Sequence, residues 1–247
     1  MRKLLGYIVS PIFYIVFGIL LLVFHGIQWI CLKIGGYGLH KWSVDTLNFF
    51  LMKSYYILGN SVKFTNDQQL PTDRPIIFVA NHQSMFDIPP LIYHLRKHHA
   101  KFISKIELTR GIPSVSFNLR HGGGANIDRK DSKQAIAEIL KLARNMKANT
   151  WSTVIFPEGT RSRTGVMKPF KEGGIATILK KVPEALIVPI AINNSWRMQR
   201  YGGFPIETFV AMTWEVLPPI EPAGRLPEEV VAEAEAAISA QVSNKPF

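Results

Sequence analysis

Pro75-Ile76-Ile77-Phe78-Val79-Ala80-Asn81-His82-Gln83-Ser84-Met85-Phe86-Asp87 opens as an unbroken apolar run and closes as a polar turn. A short continuous run of this kind suits a buried strand. Outward from it, strand-like and helix-like stretches alternate. Residues 88–95 read as a helix with two prolines at its start, and 101–104 as a strand. Ile136, Ile139, Leu140 and Ala143 recur at helical spacing within 131–147, with Asp131 or Ser132 placed as N-cap. Further strands are predicted at 153–156, 186–192 and 208–216, and helices at 174–181 and 228–242. This alternation predicts an α/β fold, a mostly parallel sheet covered by helices. No internal repeat or low-complexity tract interrupts it. Polar residues and Pro71 cluster at 60–73, which divides the chain into 1–60 and an α/β domain at 61–247.

The first sixty residues have another character. Residues 4–32 contain no Asp, Glu, Lys or Arg. As one helix these 29 residues would reach about 43 Å, more than the ~20 residues that one bilayer span needs. Arg2 and Lys3 before an apolar stretch resemble a signal peptide, but the stretch is too long and no A-x-A-like site follows. Residues 37–59 read as a second, amphipathic helix whose Trp42, Tyr55 and Tyr56 suit headgroup depth. Residues 1–60 are therefore expected to form a two-helix membrane anchor. Monotopic insertion is favoured over a span, with a bend near Pro11, Gly18 or Gly26. Lysines flank both ends, so charge alone does not orient it.

The whole chain has 247 residues, 29 Lys plus Arg against 18 Asp plus Glu, and a net charge of +11. Apolar residues make up 47%, which excludes a disordered chain. Cys31 is the only cysteine, which excludes a disulfide scaffold and suits a cytosol-facing domain. The positive excess points to an anionic partner. The apolar N-terminus and the lack of an aromatic-basic motif argue against nucleic acid. A basic run, His94, Arg96, Lys97, His98, His99 and Lys101, is either a solvated face or a contact for anionic headgroups.

Candidate chemistry gathers where strands end, the usual ligand edge of an open α/β sheet. Ser84, three residues before Asp87, makes an N-capping arrangement. Asp87 then lies in a first helical turn and His82 can fold back toward it. A carboxylate on one imidazole nitrogen leaves the other as a base; the competing reading is that Asp87 serves only the helix dipole. After the strand at 153–156 comes Phe156-Pro157-Glu158-Gly159-Thr160-Arg161-Ser162-Arg163, where a turn, a hydroxyl and fixed cations suit an anion. Arg120-His121-Gly122-Gly123-Gly124-Ala125-Asn126-Ile127-Asp128-Arg129 combines three glycines with a cation before a helix, but it is not a P-loop. Lys171 adds a cation before another helix.

Taken together, these blocks resemble the glycerolipid acyltransferase family, in particular the PlsC-like 1-acyl-sn-glycerol-3-phosphate acyltransferases. The family pattern N-H-x-S-x-x-D matches Asn81 to Asp87, and F-P-E-G-T-R-S matches Phe156 to Ser162. Ile127-Asp128-Arg129 and Val188-Pro189-Ile190 follow the family's other two blocks in order, over about residues 60–220. One departure is the glycine stretch at 122–124, where bulky apolar residues are usual; it bears on the acceptor or acyl pocket.

The resemblance implies acyl transfer to the free hydroxyl of lysophosphatidic acid, giving phosphatidic acid for phospholipid synthesis. His82 would be the base and Asp87 its orienting carboxylate. Arg129 and Arg161 would hold the acceptor phosphate, with Glu158, Gly159 and Thr160 shaping that site and Lys105 and Lys171 assisting. The donor would be acyl-CoA or acyl carrier protein, with no other cofactor and no metal. Membrane attachment on the cytoplasmic face, most simply of a bacterial inner membrane, follows from lipid substrates and cytosolic donors. Two rival readings remain. One is an acyltransferase for another lysolipid, such as a lyso-aminolipid; the other is a non-catalytic binder of anionic lipid.

Overall fold

The computed structural model describes residues 2–242. Helix α1 (Arg2–Ser54) is broken once, at Gly36, with φ 61° and ψ −152°. That left-handed backbone is open to glycine at little cost. It reverses the chain, so that Phe24 on the first arm packs against Leu47 and Leu51 on the second. The bend therefore falls at Gly36, and Pro11, Gly18 and Gly26, where it was expected, lie inside a continuous first arm. Pro11 removes one hydrogen bond from the first arm without breaking it, and an isolated glycine is tolerated within a long helix. The second arm ends at Ser54 and tightens into a 3-10 turn, Tyr55–Leu58.

Seven strands follow: β1 (Ser61–Thr65), β2 (Ile76–Ala80), β3 (Lys101–Lys105), β4 (Ala125–Ile127), β5 (Thr153–Ile155), β6 (Leu186–Asn193) and β7 (Ala211–Val216). They form one sheet in the order β1-β7-β6-β2-β5-β3-β4. Every pair is parallel except β6 with β7. Helices α2 (Ile88–His94), α3 (Val115–His121), α4 (Ser132–Asn149), α5 (Gly173–Leu179) and α6 (Pro227–Gln241) complete the layers. The mostly parallel, helix-covered sheet is the fold that the alternation predicts. Asp131 caps α4 by accepting from the Lys133 and Gln134 amides, both at 3.0 Å. Strands β1 and β4 and helix α3 were not anticipated. β1 is an edge strand with a half-exposed pattern, and β4 and α3 are too short to show a period.

The apolar run at 76–80 is buried along its whole length because both faces of β2 are covered. Ile76, Phe78 and Ala80 face one core with α2, while Ile77 and Val79 face the other with α4, α5 and α6. The first core also contains Phe13, Tyr55 and Leu58 from the N-terminal segment. The first arm is fastened along its length. The Arg2 carbonyl accepts from Thr208 Oγ1 at 3.1 Å, Ser10 Oγ from the Ile206 amide at 2.8 Å, and His25 Nδ1 from the Ser114 amide at 3.1 Å. Leu4, Ile8, Ile12, Ile15, Ile19 and Leu22 recur every three or four residues on the opposite side and are exposed. That stripe suits membrane association.

The basic run is not one surface patch. Lys101 is buried beside the stacked Tyr37 and Trp151 rings, its ammonium 4.7 and 4.3 Å from their centroids, and His94 stacks on Phe64 at 4.3 Å.

Phe13→Ala is expected to destabilise the detergent-solubilised protein by about 3–5 kcal/mol, as a fully buried aromatic should. Ile19→Ala, on the exposed stripe, should change it by less than about 0.5 kcal/mol. Denaturant unfolding of both variants checks the two-faced character of the first arm.

Candidate active site

The connections leaving β2 and β5 diverge. The one from β2 leads through α2, which packs on one core, and the one from β5 leads through α5, which packs on the other. Neighbouring strands with diverging exits open a crevice at their carboxyl ends, and His82 and Phe156, which follow β2 and β5, both line it.

Ser84 and Asp87 form the expected capping box around a 3-10 turn, Met85–Asp87. The turn points Asp87 back at the chain that precedes it. Its Oδ2 lies 2.8 Å from His82 Nδ1 and accepts from the Gln83 and Ser84 amides at 2.7 and 3.0 Å. Its Oδ1 accepts from Ser84 Oγ at 3.3 Å and from the Ser195 hydroxyl. The carboxylate is fully buried and saturated with donors. It fixes the ring with Nδ1 inward and leaves Nε2 for a substrate.

The second motif fastens the first. The Phe156 ring stacks on His82 at 4.0 Å and 17°. Glu158 Oε1 accepts the His82 amide at 2.7 Å and Oε2 the Lys168 amide at 3.1 Å. The Ser162 amide donates to the His82 carbonyl at 2.7 Å. Glu158, expected among the substrate-binding residues, is 4% exposed and does not line the crevice. Both of its oxygens are used by backbone donors, so it is a positioning residue. Burial pushes its carboxyl up to about 7, against the pull of the two amides and the Lys168 cation and with a smaller push from Asp87.

His82 opens on a cleft of about 780 Å³. Gly159, Thr160, Arg161, Lys105, Lys171 and Arg129 all line it, so the structure brings these sequence-derived candidates together. Burial, joined by the nearby Arg161 cation and opposed by Glu107, holds the Arg129 guanidinium below the ordinary arginine range. Arg129 and Arg161 thus set two neighbouring cations in the cleft, an arrangement that suits an anion. Gly159 makes the tight turn expected of it, with φ 70°. The glycines at 122–124 do not act as one flexible unit. Gly122 caps α3 with an ordinary φ of −82°. Only Gly123 has positive φ, and a Cβ at Gly124 would sit 2.7 Å from the Phe102 carbonyl oxygen of the neighbouring strand.

Other functional residues escaped the sequence reading. Asn81 ties the end of β2 to β6, donating to the Ile192 carbonyl at 2.8 Å and accepting its amide at 2.7 Å. A polar residue that ends a wholly buried strand was the available signal. Gln83 accepts the Ser195 amide at 3.1 Å, and Ser195 is linked to the motif only through space. The two-helix segment also lines the cleft, through Gln28, Val44, Leu47, Asn48 and Leu51. Among the described residues no group of three His, Cys, Asp or Glu side chains could hold a metal ion.

Comparison with known proteins decides the family. Residues 61–193 match the family model described as Acyltransferase. The chain belongs to the acyltransferase family. The yeast (Saccharomyces cerevisiae) protein named 1-acyl-sn-glycerol-3-phosphate acyltransferase is 30% identical over 71% of this chain and 57% of its own length. The sheep (Ovis aries) 1-acyl-sn-glycerol-3-phosphate acyltransferase alpha is 29% identical over 78% of this chain and 66% of its own. The family member described here thus spans less than two thirds of each. The crystal structure of the 1-acyl-sn-glycerophosphate acyltransferase PlsC from Thermotoga maritima aligns with a TM-score of 0.79. It covers 97% of this chain and 96% of that one at 23% identity, and so shares the fold.

A raised Glu158 carboxyl has a stability signature. The folded protein holds this proton up to about pH 7, whereas an ordinary glutamate releases it near 4.5. Its contribution is complete below about 4.5 and is lost as pH rises through about 7. Glu158→Gln, which stays neutral, should lack that decline. Tm measured across this window for both proteins reads the difference.

Proposed function

We propose that this acyltransferase moves an acyl group from acyl-CoA or acyl carrier protein to the free hydroxyl of lysophosphatidic acid. The observation that carries the reading is one cleft holding a carboxylate-oriented imidazole beside a group of cations, with an apolar wall supplied by α1. The relatives named for this reaction support it.

In this reading Nε2 of His82 takes the proton of the acceptor hydroxyl while Nδ1–H stays on Asp87. The oxygen attacks the thioester carbonyl and forms the new C–O bond. The tetrahedral intermediate collapses with loss of the C–S bond, and the imidazolium returns the proton to the departing thiolate. Products are phosphatidic acid and a free thiol, and no serine nucleophile is required. Arg129 and Arg161 hold the acceptor phosphate, and Lys105 and Lys171 add positive charge to the same end. The first arm of α1 is hydrogen-bonded to the α/β layer from Arg2 to His25. A helix held in this way cannot cross a bilayer without taking the sheet with it. That favours monotopic insertion by the exposed stripe, with the domain on the cytoplasmic side where the donors are.

His82→Ala should lower kcat by about 10²–10⁴-fold, with folding and liposome binding kept. Asp87→Asn should fall toward the same level, because the imidazole loses its orienting carboxylate. Arg161→Ala should act mainly on the acceptor, raising its KM about ten- to a hundredfold. The assay is phosphatidic acid formed in liposomes from labelled palmitoyl-CoA or palmitoyl carrier protein and lysophosphatidic acid, followed by other lysolipids. Product from another lysolipid alone would overturn the acceptor. Silence of the wild type on every acceptor would leave lipid binding as the function.

A further inference from the structure

One polar feature of the cleft lies far from the chemistry. Gln28, on the first arm of α1, lines the wall and is fully buried, and neither its Oε1 nor its Nε2 has a hydrogen-bond partner. Its neighbours on that wall include Val44, Leu47 and Leu51 from the second arm. Asn48, 6% exposed, also lines the cleft and donates its Nδ2 to the Val44 carbonyl at 2.8 Å. A buried amide with donor and acceptor both unused is costly, and a leucine would fill the space without that cost. Such a group points to a ligand atom that completes it.

The helix gives the separation along the wall of the cleft. Phe17 meets the Phe86 ring at 6.2 Å, beside Asp87. Gln28 lies eleven residues further along the same arm, about 16 Å at 1.5 Å per residue. A group at Gln28 therefore lies well down a hydrocarbon chain whose thioester is at His82.

We propose that the transferred acyl chain carries a hydroxyl beyond its middle and that Gln28 recognises it. The inference rests on the acyltransferase reading. A hydroxyl donates and accepts at one atom and so answers both ends of the amide. A keto group answers only Nε2, and a plain methylene answers neither. A resident water would also satisfy Gln28, but it would give no preference between donors.

Ricinoleoyl-CoA and oleoyl-CoA differ by one hydroxyl past the middle of the chain; β-hydroxypalmitoyl-CoA and palmitoyl-CoA differ beside the thioester. Purified full-length protein should prefer ricinoleoyl-CoA over oleoyl-CoA by about tenfold in kcat/KM, with no preference within the β-hydroxy pair. Gln28→Leu should abolish or reverse the first preference, partly by gaining on oleoyl-CoA. Gln28→Met serves as a second variant, and the Tm of each confirms folding. Independently of turnover, free ricinoleate should raise the Tm of the wild type more than oleate does, and the difference should vanish in Gln28→Leu. Equal use of the two donors, or a preference that survives both substitutions, would overturn the assignment. Hydroxyl-dependent stabilisation without transfer from any donor would remove the acyltransferase reading and leave Gln28 as the hydroxyl site.

Discussion

The fully buried carboxylate of Asp87 is the constraint to which the rest of the site answers. An unpaired buried charge costs several kcal/mol even after relaxation. Here that cost is offset by donors from three sources: the Gln83 and Ser84 backbone, the Ser84 and Ser195 hydroxyls, and the His82 ring. The donors from residues 82–84 close the turn on itself, and Ser195 ties a remote segment to the same point. The capping box sets where α2 can begin, Ser195 brings in the segment after β6, and the imidazole is what remains free to meet a substrate. The interaction that stabilises the local fold is thus also the one that orients the base.

The motif at 156–162 extends that logic across the crevice. Phe156 fixes the plane of the His82 ring, while Glu158 and Ser162 hold its backbone on both sides. Arg161 is therefore carried on a loop that is already registered against the base. For the proposed acceptor, a glycerol backbone bearing both a hydroxyl and a phosphate, a rigid spacing between the imidazole and this cation is what the reaction would require, since misplacement of either group forfeits orientation.

Much of this was legible in the sequence because the elements concerned are locally determined. β2 shows as an apolar run, the capping box shows as Ser84 and Asp87 at fixed spacing, and α4 shows as a helical period closed by Asp131. What failed depends on contacts remote in sequence. Glu158 is placed at the phosphate site by the family resemblance alone. Only the fold reveals that the His82 and Lys168 amides use both its oxygens. Ser195 has no local mark at all. The bend of the first helix was sought at Pro11, Gly18 or Gly26, yet local breakers do not decide it. Packing of Phe24 against Leu47 and Leu51 requires the chain to reverse midway between them, and Gly36 is the residue there that adopts the turn.

The same hairpin answers why the apolar segment and the catalytic layer share a core. Phe13, Tyr55 and Leu58 pack with Phe78 and Trp214, so the face of α1 turned from the exposed stripe belongs to the α/β layer. A loosely tethered anchor would bring the protein to a membrane but leave the cleft at an arbitrary height. A helix with one side in the protein core and an apolar stripe on the other, set in lipid as proposed, would fix both at once. Leu47 and Leu51 line the same cleft as His82, and in the proposed function they are the wall along which a chain leaving the bilayer would run. In the proposed function an amphiphile would enter with its phosphate drawn to Arg129 and Arg161 and its hydrocarbon kept against helix side chains, without passing wholly through water. That path is energetically sound only if the helix that meets the lipid also lines the cleft, which is the arrangement that α1 provides.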